Sequence, residues 1–462
     1  MKIKLSDLWR WDGTIDRGPF LFWGVLLFAV KFNADRLVSW FLFGRGWSIF
    51  DYQRAGEFLW RTLPSAGDGV YYSTLVALAL PFLWAGVVLT LRRLRSAGLP
   101  LWLVILFFAP VIKLVFFAVL CILPSKQERL DRQLAPGDIK GMLRLIIPRN
   151  PVGSALMGIF LTLVLALAAT WLSAKVLREY GWSLFVGLPF IMGFVSVLIY
   201  GYHQPRELRS CLQIAFCTIV LAGAGLLLVA FEGLICLIMA APLAIGIGLA
   251  GGAVAYVIQS RSWWQGHSGC LFGTVMLVAP VSMGIEHAQS PQPPLLEVKT
   301  AVEVNAQPET VWTNVVAFSE LPPPREWLFL IGIAYPVRAE IQGTAAGAVR
   351  HCNFSTGAFV EPIEVWDAPR LLKFSVTTNP APMQEWTPYQ DVHPPHLEGF
   401  LESKGGQFHL IRLPDGRTRL EGTTWYHHRM WPVWYWQMWS DFIIHRIHLR
   451  VLRHVKQLSE KA

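Results

Sequence analysis

Charge is scarce in this sequence. Asp, Glu, Lys and Arg make up 15% of its 462 residues, against about 25% in ordinary soluble domains. That excludes a disordered chain, a coiled coil and an ordinary soluble enzyme. Cysteine is scarce as well. Cys121, Cys211, Cys217, Cys236 and Cys270 lie in apolar runs, and only Cys352 falls beyond residue 294. The C-terminal part therefore cannot close an internal disulfide. No C-x-x-C pair occurs, which excludes a zinc ribbon or a thioredoxin motif. No G-x-x-x-x-G-K-[ST] loop occurs either, so nothing points to ATP hydrolysis. A basic stripe is also missing. Residues 294–462 carry 16 Lys and Arg against 17 Asp and Glu, which leaves no surface for a phosphate backbone and no expected nucleic-acid partner.

Apolar residues are abundant. They make up 53% of the chain, with 21 Trp and 28 Phe. Residues 1–293 carry 24 basic and 14 acidic side chains, a surplus that suits loops facing anionic lipid headgroups. A bilayer core of about 30 Å takes roughly 20 apolar residues of helix. Eight stretches fit: 19–43, 74–91, 100–123, 152–176, 183–201, 210–231, 234–257 and 268–285. The first is read as an uncleaved span rather than a signal peptide, because no small-residue cleavage site follows it. Lys31, Asn33, Asp35 and Arg36 interrupt that stretch, and Asp35 and Arg36 are expected at the interface. Glu232 is expected to mark a short turn between two apolar runs.

Loop charge bears on orientation. With eight full crossings, basic residues divide 10 against 12 between the two sides. If 100–123 instead dips in and returns, bent at Pro110, they divide 16 against 6. The positive-inside rule favours the second arrangement. It places the N-terminus in the cytoplasm and the C-terminal domain in the periplasm.

Gly13-Thr14-Ile15-Asp16-Arg17-Gly18-Pro19-Phe20 precedes the first span, and Arg93-Leu94-Arg95-Ser96-Ala97-Gly98 with Trp102 follows the second. In these motifs residues 8–124 resemble a bacterial inner-membrane family, domain-of-unknown-function family 805. That family usually has Arg where Thr14 stands and Asp where Ser96 stands. The resemblance implies a membrane domain and no known chemistry. Arg17, Arg92, Arg93 and Arg95 are the residues expected to meet headgroups.

Residues 287–294 are polar and proline-rich and read as an extended linker. Beyond them the pattern turns to alternation. Leu296, Val298, Thr300, Val302 and Val304 share one face of a half-buried strand. Pro308 opens a helix over 310–318. Strands are predicted at 333–342, 347–356, 358–367 and 370–378. A proline-rich irregular segment follows at 379–396. Two strands are predicted within 397–413, bent at Gly405-Gly406. Pro414-Asp415-Gly416 is a hairpin turn into 417–427, and a long helix runs from Pro432 to about Glu460.

Val302 to Trp312, Trp366-Asp367-Ala368-Pro369-Arg370-Leu371-Leu372 and Leu413 to Thr424 carry a second resemblance. Residues 295–462 resemble the START-like, or SRPBCC, helix-grip superfamily, especially its polyketide cyclase/dehydrase-like members. The resemblance implies an antiparallel sheet wrapped around a long C-terminal helix, with a hydrophobic cavity between them. It does not fix function, since the superfamily holds carriers, receptors and enzymes.

The expected organisation is multi-domain. A family-805-like membrane domain (1–124) and further transmembrane helices (125–286) make a polytopic α-helical bundle. The linker (287–294) and an α+β helix-grip domain (295–462) complete it. His351, Glu398, Glu421, Tyr426, Trp436, His445 and His448 are the candidate ligand-cavity residues. His445 and His448 sit at i, i+3, with Asp441 at i−4 from His445, as ligands to a metal could. No known metal motif is present, so neither metal nor cofactor is expected. His393-Pro394-Pro395-His396 reads as a stiff loop, a candidate lid. His427-His428 titrates near neutrality and is a candidate acidity sensor. Trp431, Trp434 and Tyr435 are candidates for an aromatic belt at the bilayer surface. The expected function is binding, transfer or sensing of a lipid-like apolar molecule by a domain tethered to the membrane. The expected partners are membrane lipids and that ligand. The alternatives are a membrane-bound cyclase/dehydratase-like enzyme or a protein-interaction module. No catalytic residue is assigned.

Overall fold

A computed structural model describes residues 8–47, 52, 66–108, 112–123, 125, 147–260, 268–289, 292–387 and 394–461. Pro110, the loop 126–146 and His393 lie outside these. The chain forms two compact units. One comprises Met1–Leu177, Gly181–Gly225 and Ala241–Ser290; the other comprises Arg178–Tyr180, Leu226–Ala240 and Pro291–Ala462.

The first unit is helical. Its elements are α1 (Arg17–Phe43), α2 (Ala66–Ala97), α3 (Ile112–Ile122), α4 (Pro151–Trp171), α5 (Leu188–Tyr200), α6 (Leu208–Leu228), most of α7 (Leu234–Gln259) and α8 (Ser268–Gln289). Among the described residues, five helices are long and apolar enough to cross a membrane: Gly69–Ala97, Pro151–Leu177, Ser183–Tyr200, Leu208–Leu228 and Leu234–Gln259. The chain is a multi-pass membrane protein. The expected segment 100–123 is two short pieces, Leu101–Phe108 and Ile112–Ile122. Neither reaches the roughly 20 residues that a crossing takes.

Two charged residues are placed otherwise than expected. Asp35 is fully buried rather than interfacial. Lys31, one helical turn earlier, pairs with it, and Tyr52 Oη donates to it at 2.5 Å. One partner comes from the same helix and the other from beyond it, so the buried carboxylate is not left alone. Arg36 is exposed. Arg93 is fully buried as well, so it does not meet headgroups. Its guanidinium donates to Leu120 O at 2.8 Å, to Leu123 O and to Ser96 Oγ at 3.1 Å. It thereby satisfies carbonyls at the C-terminal end of α3 that the helix itself leaves unpaired. Arg92 donates to Thr14 O at 3.1 Å and Arg95 to Trp11 O. The basic cluster ties down the segment before α1.

The second unit is built on β1 (Leu296–Val304), α9 (Pro308–Val316), α10 (Trp327–Leu330), β2 (Pro336–Gln342), β3 (Val349–Phe354), β4 (Gly357–Asp367), β5 (Leu371–Ser375), β6 (Leu401–Arg412), β7 (Thr418–His428) and α11 (Val433–Ser459). The seven strands form one sheet in the order β1-β7-β6-β5-β4-β3-β2, and every pair is antiparallel. The sheet curls around α11, which is the helix-grip arrangement. Residues 401–412 form one strand rather than two. Its register shifts between Ser403 and Gly405, so the predicted bend is a bulge. A Cβ on Gly406 would meet the Phe374 ring at 2.7 Å, and glycine there lets β5 close on β6.

Alternation explains the core. Val304, Leu420, Leu410, Leu372 and Ile363 bring one face of five strands onto Val451, Leu452 and Val455 of α11. Leu452 is fully buried, and a Cβ on Gly422 of β7 would lie 3.6 Å from it. Replacing Leu452 by Ala is expected to destabilise the second unit by about 2–5 kcal/mol, the transfer cost plus the cavity left behind. A lowered thermal midpoint of the detergent-solubilised chain would register it; an unchanged midpoint would contradict the packing described.

Candidate functional site

The faces that the sheet and α11 turn to each other are mostly apolar and carry a few fixed polar groups. Thr300 on β1 and Thr424 on β7 face inward by the alternation that buries Val298 and Tyr426. Thr300 Oγ1 lies 2.8 Å from His445 Nδ1 and 3.0 Å from His448 Nδ1. Thr424 Oγ1 lies 2.7 Å from His448 Nε2. Tyr426 Oη meets Ser440 Oγ at 2.8 Å and donates to Asp441. Three sequence candidates, Tyr426, His445 and His448, thus come together where β1 and β7 face α11, and Trp436 is buried on the same helix. His445 Nδ1, both ring nitrogens of His448 and Asp441 Oδ1 meet strand hydroxyls, and Asp441 Oδ2 accepts from Gln437 Nε2 at 3.2 Å. Burial, aided by the neighbouring His445, lowers His448 to about 4. Burial likewise lowers His428 to about 4. Both are neutral at physiological pH. Burial and Asp441 push Tyr426 upward.

Three cavity candidates lie elsewhere. Glu421 is buried, but it points to the face of β7 opposite Gly422 and Leu452. There it pairs with Lys299 Nζ at 2.5 Å and Arg419 Nε at 2.9 Å. His351 neighbours Arg350 and Cys352, which point inward, so it faces the other way, paired with exposed Glu340. Glu398 is exposed on the loop before β6. The reason is the same for the first two: a period of two sends neighbours to opposite faces.

Arg350 and Glu361 were not foreseen. They sit opposite one another on β3 and β4 and form an ion pair inside the sheet. Arg350 is 1% exposed and Glu361 6%. The guanidinium lies over the rings of Phe318, Phe374 and Phe408 at 5.5, 5.6 and 5.4 Å. Its Nε has no hydrogen-bond partner.

A second buried cluster gathers distant parts of the second unit. Glu232 and Cys236 flank the start of α7. His396 sits in the short turn Pro395–Leu397, and Tyr180 comes from the Arg178–Tyr180 segment. Tyr180 Oη donates to Glu232 Oε1 at 2.6 Å. His396 Nδ1 lies 3.0 Å from Glu232 Oε2 and its Nε2 3.6 Å from Glu385 Oε1. Glu385 accepts from the backbone N–H groups of Ile235 at 3.0 Å and Cys236 at 3.1 Å. Burial alone lowers an imidazole, yet Cys236 and Glu232 outweigh it and hold His396 well above its ordinary value. Burial, then Glu232, raises Tyr180. Sequence reading found His396 only as part of a loop and Glu232 only as a turn. No local motif joins residues so far apart in the chain.

The aromatic belt is reduced. Trp431 is 7% exposed, and its backbone N–H donates to Tyr180 O at 2.9 Å. Tyr435 is 7% exposed, with its hydroxyl on Met239 O. Both are committed to the interior of the second unit, as is Trp436. Trp434 and Met438 stay exposed. Arg17, before the first span, is half-buried.

Comparison with known proteins adds the following. Residues 8–131 match the family described as protein of unknown function (DUF805). The C-terminal region is similar to solved structures. One is a protein from Nitrosospira multiformis, at 17% identity over 35% of this chain and 94% of that one, with a TM-score of 0.24. Another is truncated norcoclaurine synthase from Thalictrum flavum, at 14% identity over 37% and 98%, with a TM-score of 0.25. A third is the Zhui aromatase/cyclase from Streptomyces sp. R1128, at 15% identity over 36% and 95%, with a TM-score of 0.23. At these scores no argument rests on them; the helix-grip assignment rests on strand order and α11. A search of curated proteins found no match.

The Arg350–Glu361 pair gives a direct test of the interior. Arg350→Met leaves Glu361 buried and alone, at an expected cost of about 3–5 kcal/mol. Adding Glu361→Leu removes the orphaned charge and should restore most of the loss. Thermal unfolding of both variants in detergent measures this; a double variant no better than the single would show that the pair does not sit in an apolar interior.

Proposed function

We propose that this chain is a bacterial inner-membrane protein whose helix-grip domain binds an apolar, lipid-like small molecule for transfer to, or sensing by, the membrane part. One observation carries the reading. The sheet and α11 meet over an apolar face on which a small number of polar groups are fixed by their own partners. Sites for apolar ligands have this composition, with apolar walls and a few placed polar groups that set orientation. Tyr426, His445, His448 and Arg350 are such groups, and Arg350 Nε is a donor still available to a ligand's polar end. Neutral His448 and His428 add no charge to the wall at physiological pH.

The same reading takes the N-terminus as cytoplasmic and the helix-grip domain as periplasmic. The uneven basic loops support it, as does the division of 100–123 into two short pieces. Membrane lipids are the surrounding partners, and they also offer a source of ligand.

Native mass spectrometry of the full-length chain, released from detergent micelles, tests the binding claim. The expected result is an apolar mass that accompanies the folded chain and departs on denaturation. A bare mass throughout, with no uptake from a panel of fatty acids, phospholipids and isoprenoids, would overturn it.

A further inference from the structure

Glu232, Cys236 and His396 each offer one ligand atom, and these oxygen, sulfur and nitrogen atoms all lie within 4.8 Å of one another. We infer that they form a binding site for a divalent ion of the zinc class, a site independent of the apolar-ligand reading. The three residues are 5%, 7% and 4% exposed. Buried polar atoms are nearly always hydrogen-bonded. Here Glu232 Oε2 and both ring nitrogens of His396 make no hydrogen bond. Nδ1 and Oε2 stand 3.0 Å apart without hydrogen-bond alignment. Two ligand atoms that face a common ion have this relation. Leaving them unsatisfied would cost about 1–3 kcal/mol each.

The surroundings hold the ligands as metal sites do. Metal-bound carboxylates and imidazoles are themselves oriented by outer partners. Tyr180 takes Oε1 of Glu232 and leaves Oε2 to the site. Glu385 holds the Cys236 backbone N–H with Oε1, which also lies 3.6 Å from His396 Nε2. Gly233 makes this possible, since a Cβ there would lie 2.1 Å from Glu385 Oε2. Pro394 and Pro395 stiffen the turn that presents His396.

Two carboxylates with buried side chains, Glu232 and Glu385, face the one imidazole of His396. A divalent ion would bind among Glu232, Cys236 and His396 as the Cys236 proton leaves to solvent. The thiolate selects a zinc-class ion over magnesium or calcium. Three protein donors are one fewer than a closed structural zinc site uses. A fourth position is therefore left for water or a small ligand.

The test uses full-length protein in detergent, stripped with chelator and titrated with Zn²⁺ alone, then with Co²⁺. About one zinc per chain is expected to survive desalting. Cobalt should give a thiolate charge-transfer band. Cys236→Ser should abolish that band, and His396→Gln should weaken zinc retention by about tenfold or more. Cys217→Ser, at an exposed cysteine outside the cluster, should change neither. Should the cluster variants fail to fold, the wild-type protein decides alone: stoichiometric metal with a thiolate band supports the site. Wild type without retained zinc and without the band overturns it, as does a folded Cys236→Ser variant whose band is intact.

Discussion

A polar group taken out of water must find a partner, and much of this structure is arranged around that demand. An apolar chain with few charges can still bury some of them, provided each is met locally or across a fold contact. Asp35 is met by Lys31 and Tyr52, and Arg93 by the carbonyls ending α3. Arg350 is met by Glu361, and His445 and His448 of α11 by Thr300 and Thr424. Each pairing fixes a position that apolar packing alone leaves free to slide. In the Glu232–Cys236–His396 cluster three buried polar atoms are left without a hydrogen bond.

The helix-grip unit shows how packing and pairing divide the work. Val451, Leu452 and Val455 press one end of α11 onto the sheet through apolar contact. His445, His448, Ser440 and Asp441 fasten its middle through hydroxyl groups of β1 and β7. The first contribution supplies most of the stability, because it scales with buried area. The second sets rotation about the helix axis. Together they hold Tyr426 at a defined place against α11.

Much of the second unit was legible in the sequence. The alternation from Leu296 to Val304 is β1 as read, and the pattern after Pro432 is α11 to within a residue or two. Such features depend on periodicity within one segment. Facing was harder. His351 and Glu421 were assigned to the cavity by residue type, but register sends them to the outer face. Arg350 and Glu361 escaped notice because their pairing exists only once β3 and β4 are aligned. Gly405-Gly406 reads as a bend between two strands; register shows a bulge in one strand, and the Phe374 ring explains the glycine at 406. The Glu232 cluster had no signal, since its members come from three separate stretches. In the membrane part, apolar runs were plain, but burial of Asp35 and Arg93 depended on partners on other elements.

The central claim is that the face enclosed by the sheet and α11 receives an apolar molecule. Photolabelling in nanodiscs with a diazirine-bearing fatty acid, mapped by peptide mass spectrometry, tests it most directly. The account predicts label on β7 and α11, around Tyr426 and Ile444, suppressed by excess unlabelled fatty acid. Label confined to the membrane-spanning helices would contradict it.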